Sequence, residues 1–288
     1  MVTLRLLAVH AHPDDESSKG AATYAYYSSI GAEVLIVSCT GGERGSILNP
    51  ALADHAMAER DLSGLRRLEM QQAQEHLGVQ HRWLGFVDSG MDEDGSVPAS
   101  SFAGIPLEFE TEPLVNIIRE FRPQVLVTYD EKGGYPHPDH IRTHEVSLAA
   151  YRAAADPEQF PSSGEAWQID KLYYDRIFNL ERIDAMYLEL SVAEPDSPLL
   201  EPLSAARERL EDYPKLATSH IPVGDFLETR DAALRAHASQ VSPDSSFFFW
   251  PNHLVRKAWP FEDFQLIESK VETTMPESDL FAGVERTQ

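Results

Sequence analysis

An α/β fold, with a mostly parallel sheet covered by helices on both faces, is what this sequence predicts. Two observations carry the expectation. Short apolar runs rich in strand-forming residues recur through the first half, and segments with helical spacing lie between them. Residues 4–9 form the first run, residues 33–39 the second and residues 124–128 the third. Between the second and third, Met70, Ala73 and Leu77 mark one helix face, and Gly78 is placed to end that helix. Leu114, Ile117, Ile118 and Phe121 repeat the i, i+3, i+4, i+7 pattern, as do Val146, Ala149, Ala150 and Ala153. Strands alternating with helices build βαβ units, so the sheet is expected to be Rossmann-like.

The second half continues with an expected strand over 170–178 and a helix over 226–240. Between them, Pro195, Pro198, Pro202 and Pro214 punctuate an acidic stretch, read as an exposed insertion with one helix over 204–210. Residues 1–178 are therefore expected to form the α/β domain. Residues 179–288 complete the same fold, as a smaller C-terminal region with an insertion at about 181–223.

Composition narrows the partners. With 24 Lys and Arg against 47 Asp and Glu, the formal net charge of −23 repels phosphate backbones and anionic lipid, which argues against nucleic acid and membrane. No apolar run approaches the roughly 20 residues that span a bilayer, and no leader-like start is visible, so a cytoplasmic protein is expected. The single cysteine, Cys39, lies within the second apolar run, reads as a small buried residue and excludes an intrachain disulfide.

Residues with chemistry gather just past strand ends, where ligands sit in such sheets. His12-Pro13-Asp14-Asp15 follows the first run. Alone it reads equally well as part of a metal site or as a helix N-cap. Tyr135-Pro136-His137-Pro138-Asp139-His140 follows the third run through Gly133-Gly134. Two His/Asp clusters at strand ends favour the metal, and a His/Asp/His set leaves a coordination position open, as catalytic zinc requires. His140 and His144 have the spacing of a zincin helix, but Ile141 stands where that motif needs Glu, so His144 reads as a helix-face residue. His10 reads as a supporting or packing residue. Gly41-Gly42-Glu43-Arg44-Gly45 reads as an anion-binding turn or as a plain turn, and Arg66 and Asp88 as substrate contacts or surface charges.

His12-Pro13-Asp14-Asp15 with the later His137-Pro138-Asp139-His140 resembles the LmbE-like (PIG-L) family of zinc-dependent N-acetylglucosamine-type deacetylases. The likeness extends over residues 4–178 and 226–283, including Ala236-His237-Ala238-Ser239-Gln240, and lapses over 181–223. It implies zinc, or iron(II), held by His12, Asp15 and His140, with Asp14 as general base. It further implies Tyr135 and His137 at the reacting carbonyl, with Asp139 hydrogen-bonded to His137 and raising its pKa. Lys19, Arg66, Asp88, Glu43 and Arg44 would contact substrate. The turn around Glu43, the segment 84–90 and Tyr129-Asp130 are most similar to the branch that cleaves the cysteinyl-glucosamine amide of mycothiol S-conjugates. Deacetylation of N-acetylglucosaminyl-inositol is the alternative substrate expectation.

Overall fold

The computed structural model describes residues 3–285 apart from residue 54. Among these, seven strands form one sheet: β1 (Arg5–His10), β2 (Glu33–Thr40), β3 (Gln80–Phe86), β4 (Val125–Thr128), β5 (Lys171–Asp175), β6 (Ser219–Pro222) and β7 (Phe261–Ser269). Their spatial order is β3-β2-β1-β4-β5-β7-β6. Strands β1 to β5 run parallel, β7 runs antiparallel to β5, and β6 antiparallel to β7. The expected α/β architecture is therefore present, and the carboxyl ends of the five parallel strands share one edge.

The helices are α1 (Asp15–Ser18), α2 (Ala21–Ser29), α3 (His55–Arg60), α4 (Leu62–Leu77), α5 (Glu108–Phe121), α6 (Pro138–Ala155), α7 (Leu180–Ala193), α8 (Leu200–Leu210), α9 (Leu227–Ala236) and α10 (Asn252–Ala258). Alternate residues of the central strands feed two separate cores. Leu7, Val9, Leu35, Val37 and Leu126 pack against α5 and α6. Leu6, Ala8, Ile36 and Val127 pack on the other face against α2, Met70 of α4 and the late residues Leu280 and Phe281. Burial on both faces explains why these strands read as near-continuous apolar runs. Cys39 is sealed in the first core, where burial pushes its thiol pKa up and leaves it inert.

Local signals place the helices that matter most for the site. Asp61 caps α4 by accepting from Gly64 N at 2.7 Å, and Gly78 ends it with φ of 68°. Helix α6 starts with Pro138 behind His137, whose ring accepts from Asp139 N. Its far end is anchored by the buried Arg119 of α5, which donates to the carbonyls of Ala153, Ala154 and Asp156.

The structure departs from the sequence reading in the less apolar parts. Strand β3 is half-exposed, and Gln-His-Arg-Trp-Leu-Gly-Phe lacks the alternation that would mark it. Strands β6 and β7 mix acids and polar groups with apolar residues and are equally unmarked. The expected helix over 226–240 stops at Ala236, because His237 leaves helical geometry with ψ of 55°. The insertion holds two helices, α7 and α8, where the sequence predicts one. They are not simply exposed: Met186, Leu190 and Leu203 form a third cluster with Leu254 and Val255 of α10. Beyond α8, the Tyr213 ring lies 6.0 Å from Lys132 Nζ in the loop after β4. Among the described residues no helix is long and apolar enough to cross a membrane.

Candidate metal centre

The chain leaves β1 at His10 and turns at Pro13, and Asp15 opens the short helix α1. Asp14 has φ of 125°, a conformation unusual for a residue with a side chain and costing about 1–3 kcal/mol. The capping alternative for this motif is not what forms, since the Asp14 side chain caps nothing. Asp15 folds back instead, with Oδ2 accepting from His12 N at 3.0 Å.

Helix α6 brings the second cluster to the same place. The ligand-type atoms of His12, Asp15 and His140 lie within 4.8 Å of one another, and all three residues are buried. Each is oriented by an outer partner. His140 Nδ1 lies 2.9 Å from the Gly133 carbonyl, which can only accept, so Nδ1 carries the proton and Nε2 the lone pair. That approach needs Gly133: its φ is +70°, and a Cβ there would sit 2.5 Å from His140 Cβ. His12 Nε2 lies 3.3 Å from Asp139 Oδ2, which leaves Nδ1 facing Asp15 Oδ2 at 3.5 Å. Lys19 Nζ holds the other Asp15 oxygen at 2.5 Å.

These residues fit a divalent cation. His140 Nε2 is buried without a hydrogen-bond partner and points at Asp15 Oδ2, 3.3 Å away. An orphaned imidazole lone pair beside a carboxylate oxygen is costly unless a cation lies between them. Electrostatics agree. Burial resists ionisation of Asp15, but the Lys19 ammonium and the hydrogen bond with His12 favour the carboxylate and hold it below its usual range. Burial likewise works against a charged His12, yet hydrogen bonds to Asp139, Asp15 and Asp88 raise its pKa well above normal. A cation at this point would compete with that proton, so its capture should release one.

Asp139 is not placed as expected. Its carboxylate meets His12 and Ser89 N (3.0 Å), not His137; the His137 ring instead accepts from the Asp139 backbone N–H at 3.1 Å. The expected rise in the His137 pKa is correspondingly reversed. Burial, then the nearby charge of His12, lower it to about 4, with Asp139 opposing. Because its Nδ1 accepts, neutral His137 carries its proton on Nε2 and remains a donor. Carboxylate-to-imidazole bonds of the Asp139–His12 kind orient metal ligands, and their loss costs about 10–100-fold in affinity. Asp139→Ala is thus expected to weaken zinc binding by about that factor in a buffered-zinc titration, and unchanged affinity would dismiss the orienting role.

The remaining predicted residues surround this point in different ways. Arg66 is buried and clamps backbone, donating to Pro13 O (2.6 Å), Gly42 O (3.1 Å) and Asp14 Oδ2 (3.1 Å). Gly42 must be glycine here, because a Cβ would meet Arg66 Nη1 at 1.9 Å. Asp88 is buried, 3.7 Å from His12 Nε2, and accepts from Gly90 N and Arg44 N. Glu43 accepts from Asp88 N, and the Arg44 side chain pairs with Asp92 near the surface. Lys19, expected to contact substrate, is buried on Asp15. Tyr135 is half-exposed, its ring 4.3 Å from that of His140. A second group, His12, Asp88 and His137, also has ligand-type atoms within 4.8 Å of one another. It shares His12 through the nitrogen that Asp139 engages, so it is one imidazole short of an independent centre.

Several neighbours have contacts that sequence does not give away, even where a motif or likeness marks the residue. Tyr129 stacks on His140 at 4.6 Å and 8°, and its hydroxyl meets Ala11 N and His10. His10, between the hydroxyls of Tyr129 and Tyr24, has the supporting place expected of it. His144 bonds Tyr129 O and is outside both metal-capable groups. Glu16 and Glu69 receive His237 and Ser239 from the turn after α9. The segment 236–240 carries a family likeness, but no spacing rule links it to the first helix.

Comparison with known proteins shows what the chain is similar to. Residues 7–151 match the model of the PIG-L family, GlcNAc-PI de-N-acetylase. The chain is 49% identical to the mycothiol S-conjugate amidase of Streptomyces coelicolor, covering 98% of this chain and 97% of that protein. It is 40% identical to a 1D-myo-inositol 2-acetamido-2-deoxy-alpha-D-glucopyranoside deacetylase of Streptomyces avermitilis, covering 97% of each. The fold resembles that of the N,N'-diacetylchitobiose deacetylase from Pyrococcus horikoshii, with a TM-score of 0.61 at 19% identity, over 91% of this chain and 83% of that one.

Proposed function

The chain belongs to the GlcNAc-PI de-N-acetylase (PIG-L) family, and from that premise we propose that it is a zinc-dependent amidase acting on mycothiol S-conjugates. The reaction would split the cysteinyl-glucosamine amide, giving glucosaminyl-inositol and an N-acetylcysteine S-conjugate. The observation that carries the reading is the convergence of His12, Asp15 and His140 beside a second, separately held carboxylate, Asp14. A metal binder needs only the first group; a hydrolase needs both.

A divalent ion bound by His12, Asp15 and His140 would polarise the scissile carbonyl and acidify the attacking water. Asp14 takes the water proton. Burial raises its pKa, with Arg66 opposing, which suits a group that must first accept a proton and then yield it to the leaving nitrogen. His137, neutral with its proton on Nε2, donates a hydrogen bond to the oxyanion as it forms. Tyr135, half-exposed beside His140, offers its hydroxyl to the same oxygen. Arg66 holds the loops after β1 and β2 together through Pro13 O and Gly42 O and so keeps Asp14 over the centre. Asp88, Glu43 and Arg44 form the wall next to it, and the polar sugar-inositol part would lie there.

The second reading, deacetylation of N-acetylglucosaminyl-inositol, is supported by the 40% identical relatives that match over nearly the whole chain. A bimane conjugate of mycothiol and the N-acetyl compound, assayed side by side by mass spectrometry, separate the two. The conjugate is expected to have the higher kcat/KM by about tenfold or more, on the scale of pocket discrimination, with activity abolished by a chelator and restored by zinc. The reverse preference would assign the chain to the deacetylases.

A further inference from the structure

Asp14 does not hold its positive φ unaided. Its backbone N–H donates to Glu16 Oε2 at 2.9 Å. The other Glu16 oxygen takes His237 Nε2 at 2.7 Å and Ser17 Oγ at 2.5 Å. Glu16, Ser17 and His237 are all fully buried. The turn bearing His237 is itself tied down, with Gln240 N and Val241 N donating to His237 O, and Ser239 donating twice to Glu69. A line of buried hydrogen bonds thus runs from the end of α9 to one peptide N–H. Glu16 lies outside both metal-capable groups, so this arrangement is not explained by ligation.

We propose that Glu16 and His237 are positioning residues for Asp14. They keep it in the strained conformation that separates its carboxylate from that of Asp15, so that one acid serves the cation and its neighbour serves the water. The physical reason is local. Without an acceptor at Glu16, the partly buried Asp14 N–H loses its partner, and the residue gains by relaxing toward negative φ, which moves its carboxylate. His237 keeps Glu16 in the rotamer that reaches back and balances its charge, both side chains being fully buried. The catalytic half of this proposal rests on reading Asp14 as the base; the structural half does not.

The test combines Glu16→Ala, Asp14→Gly and the double variant in the full-length chain, read by thermal unfolding and kinetics. Glycine adopts positive φ freely, so Glu16→Ala, which also strips His237 and Ser17 of their acceptor, is expected to lower Tm in both backgrounds but clearly less in the Asp14→Gly one. In the parent chain it should lower kcat by about 10²-fold, the effect of an approximately 1 Å misplacement, with zinc content unchanged and KM moved little. Glu16→Gln, which keeps an acceptor oxygen, should recover most of that loss. An equal fall in Tm in both backgrounds, or an unchanged kcat in Glu16→Ala, overturns the proposal. A parent chain that leaves the mycothiol conjugate intact would instead refute the proposed reaction, and the Tm comparison would still decide whether Glu16 holds Asp14.

Discussion

Alanine in place of His140 is expected to remove the bound metal and, with it, essentially all turnover. His140 is fully buried, and its Nε2 has no partner other than the point it shares with Asp15. Deleting the ring leaves two protein ligands where catalytic zinc sites keep three. The metal-to-chain ratio of purified protein, measured by plasma mass spectrometry, should fall from near one toward zero. Hydrolysis should drop by about 10³-fold or more, since both polarisation of the carbonyl and activation of water go with the ion. The ring also stacks on Tyr129, so thermal unfolding must be followed alongside. A folded variant with the parent's metal content would discard the ligand set.

Asp14→Asn is expected to separate binding from chemistry. Asparagine has the same shape and can still accept from Arg66, so the loop should persist and the metal content should match the parent. What it loses is basicity. A fall in kcat of about 10²–10⁴-fold is the range for removing a general base. KM should change little, because the interaction lost is made with the reacting water and not with the resting substrate. A variant that holds zinc and turns over at close to the parental rate would remove Asp14 as the base. The two variants give opposite patterns, one without metal and one with metal but idle, and only a hydrolytic centre predicts both.

The parts of the fold that sequence reveals are those where one physical demand governs the residues. Strands β1, β2 and β4 are buried on both faces and so have to be apolar throughout, as Leu-Leu-Ala-Val, Val-Leu-Ile-Val and Val-Leu-Val already suggest. Strand β3 sits at the sheet edge and β7 carries three acids, so neither has to be apolar or strictly alternating. Helix α7 is hidden for a similar reason: it buries little beyond Met186 and Leu190.

The site divides in the same manner. The two His/Asp clusters stand out because both lie just past strand ends, while the choice of His12, Asp15 and His140 among their members comes from the family likeness. The partner of Asp139 cannot be read this way. Whether its carboxylate reaches His137, two residues away, or His12, 127 positions distant, depends on the tilt of α6 against β1, and no local pattern encodes that. Lys19 is legible as a charge in the right place, but its burial against Asp15 is not. Glu16 looks like any acid in a first helical turn, and the family likeness over 236–240 marks His237 without revealing that it meets Glu16.

The turn that follows α9 gives the molecule an order of maturation. During synthesis His12, Asp15 and His140 all emerge well before His237 and Ser239, whose contacts with Glu16 and Glu69 span 221 and 170 positions. The bonds that hold Asp14 through Glu16 can therefore close only after most of the chain has been made, long after the residues they orient.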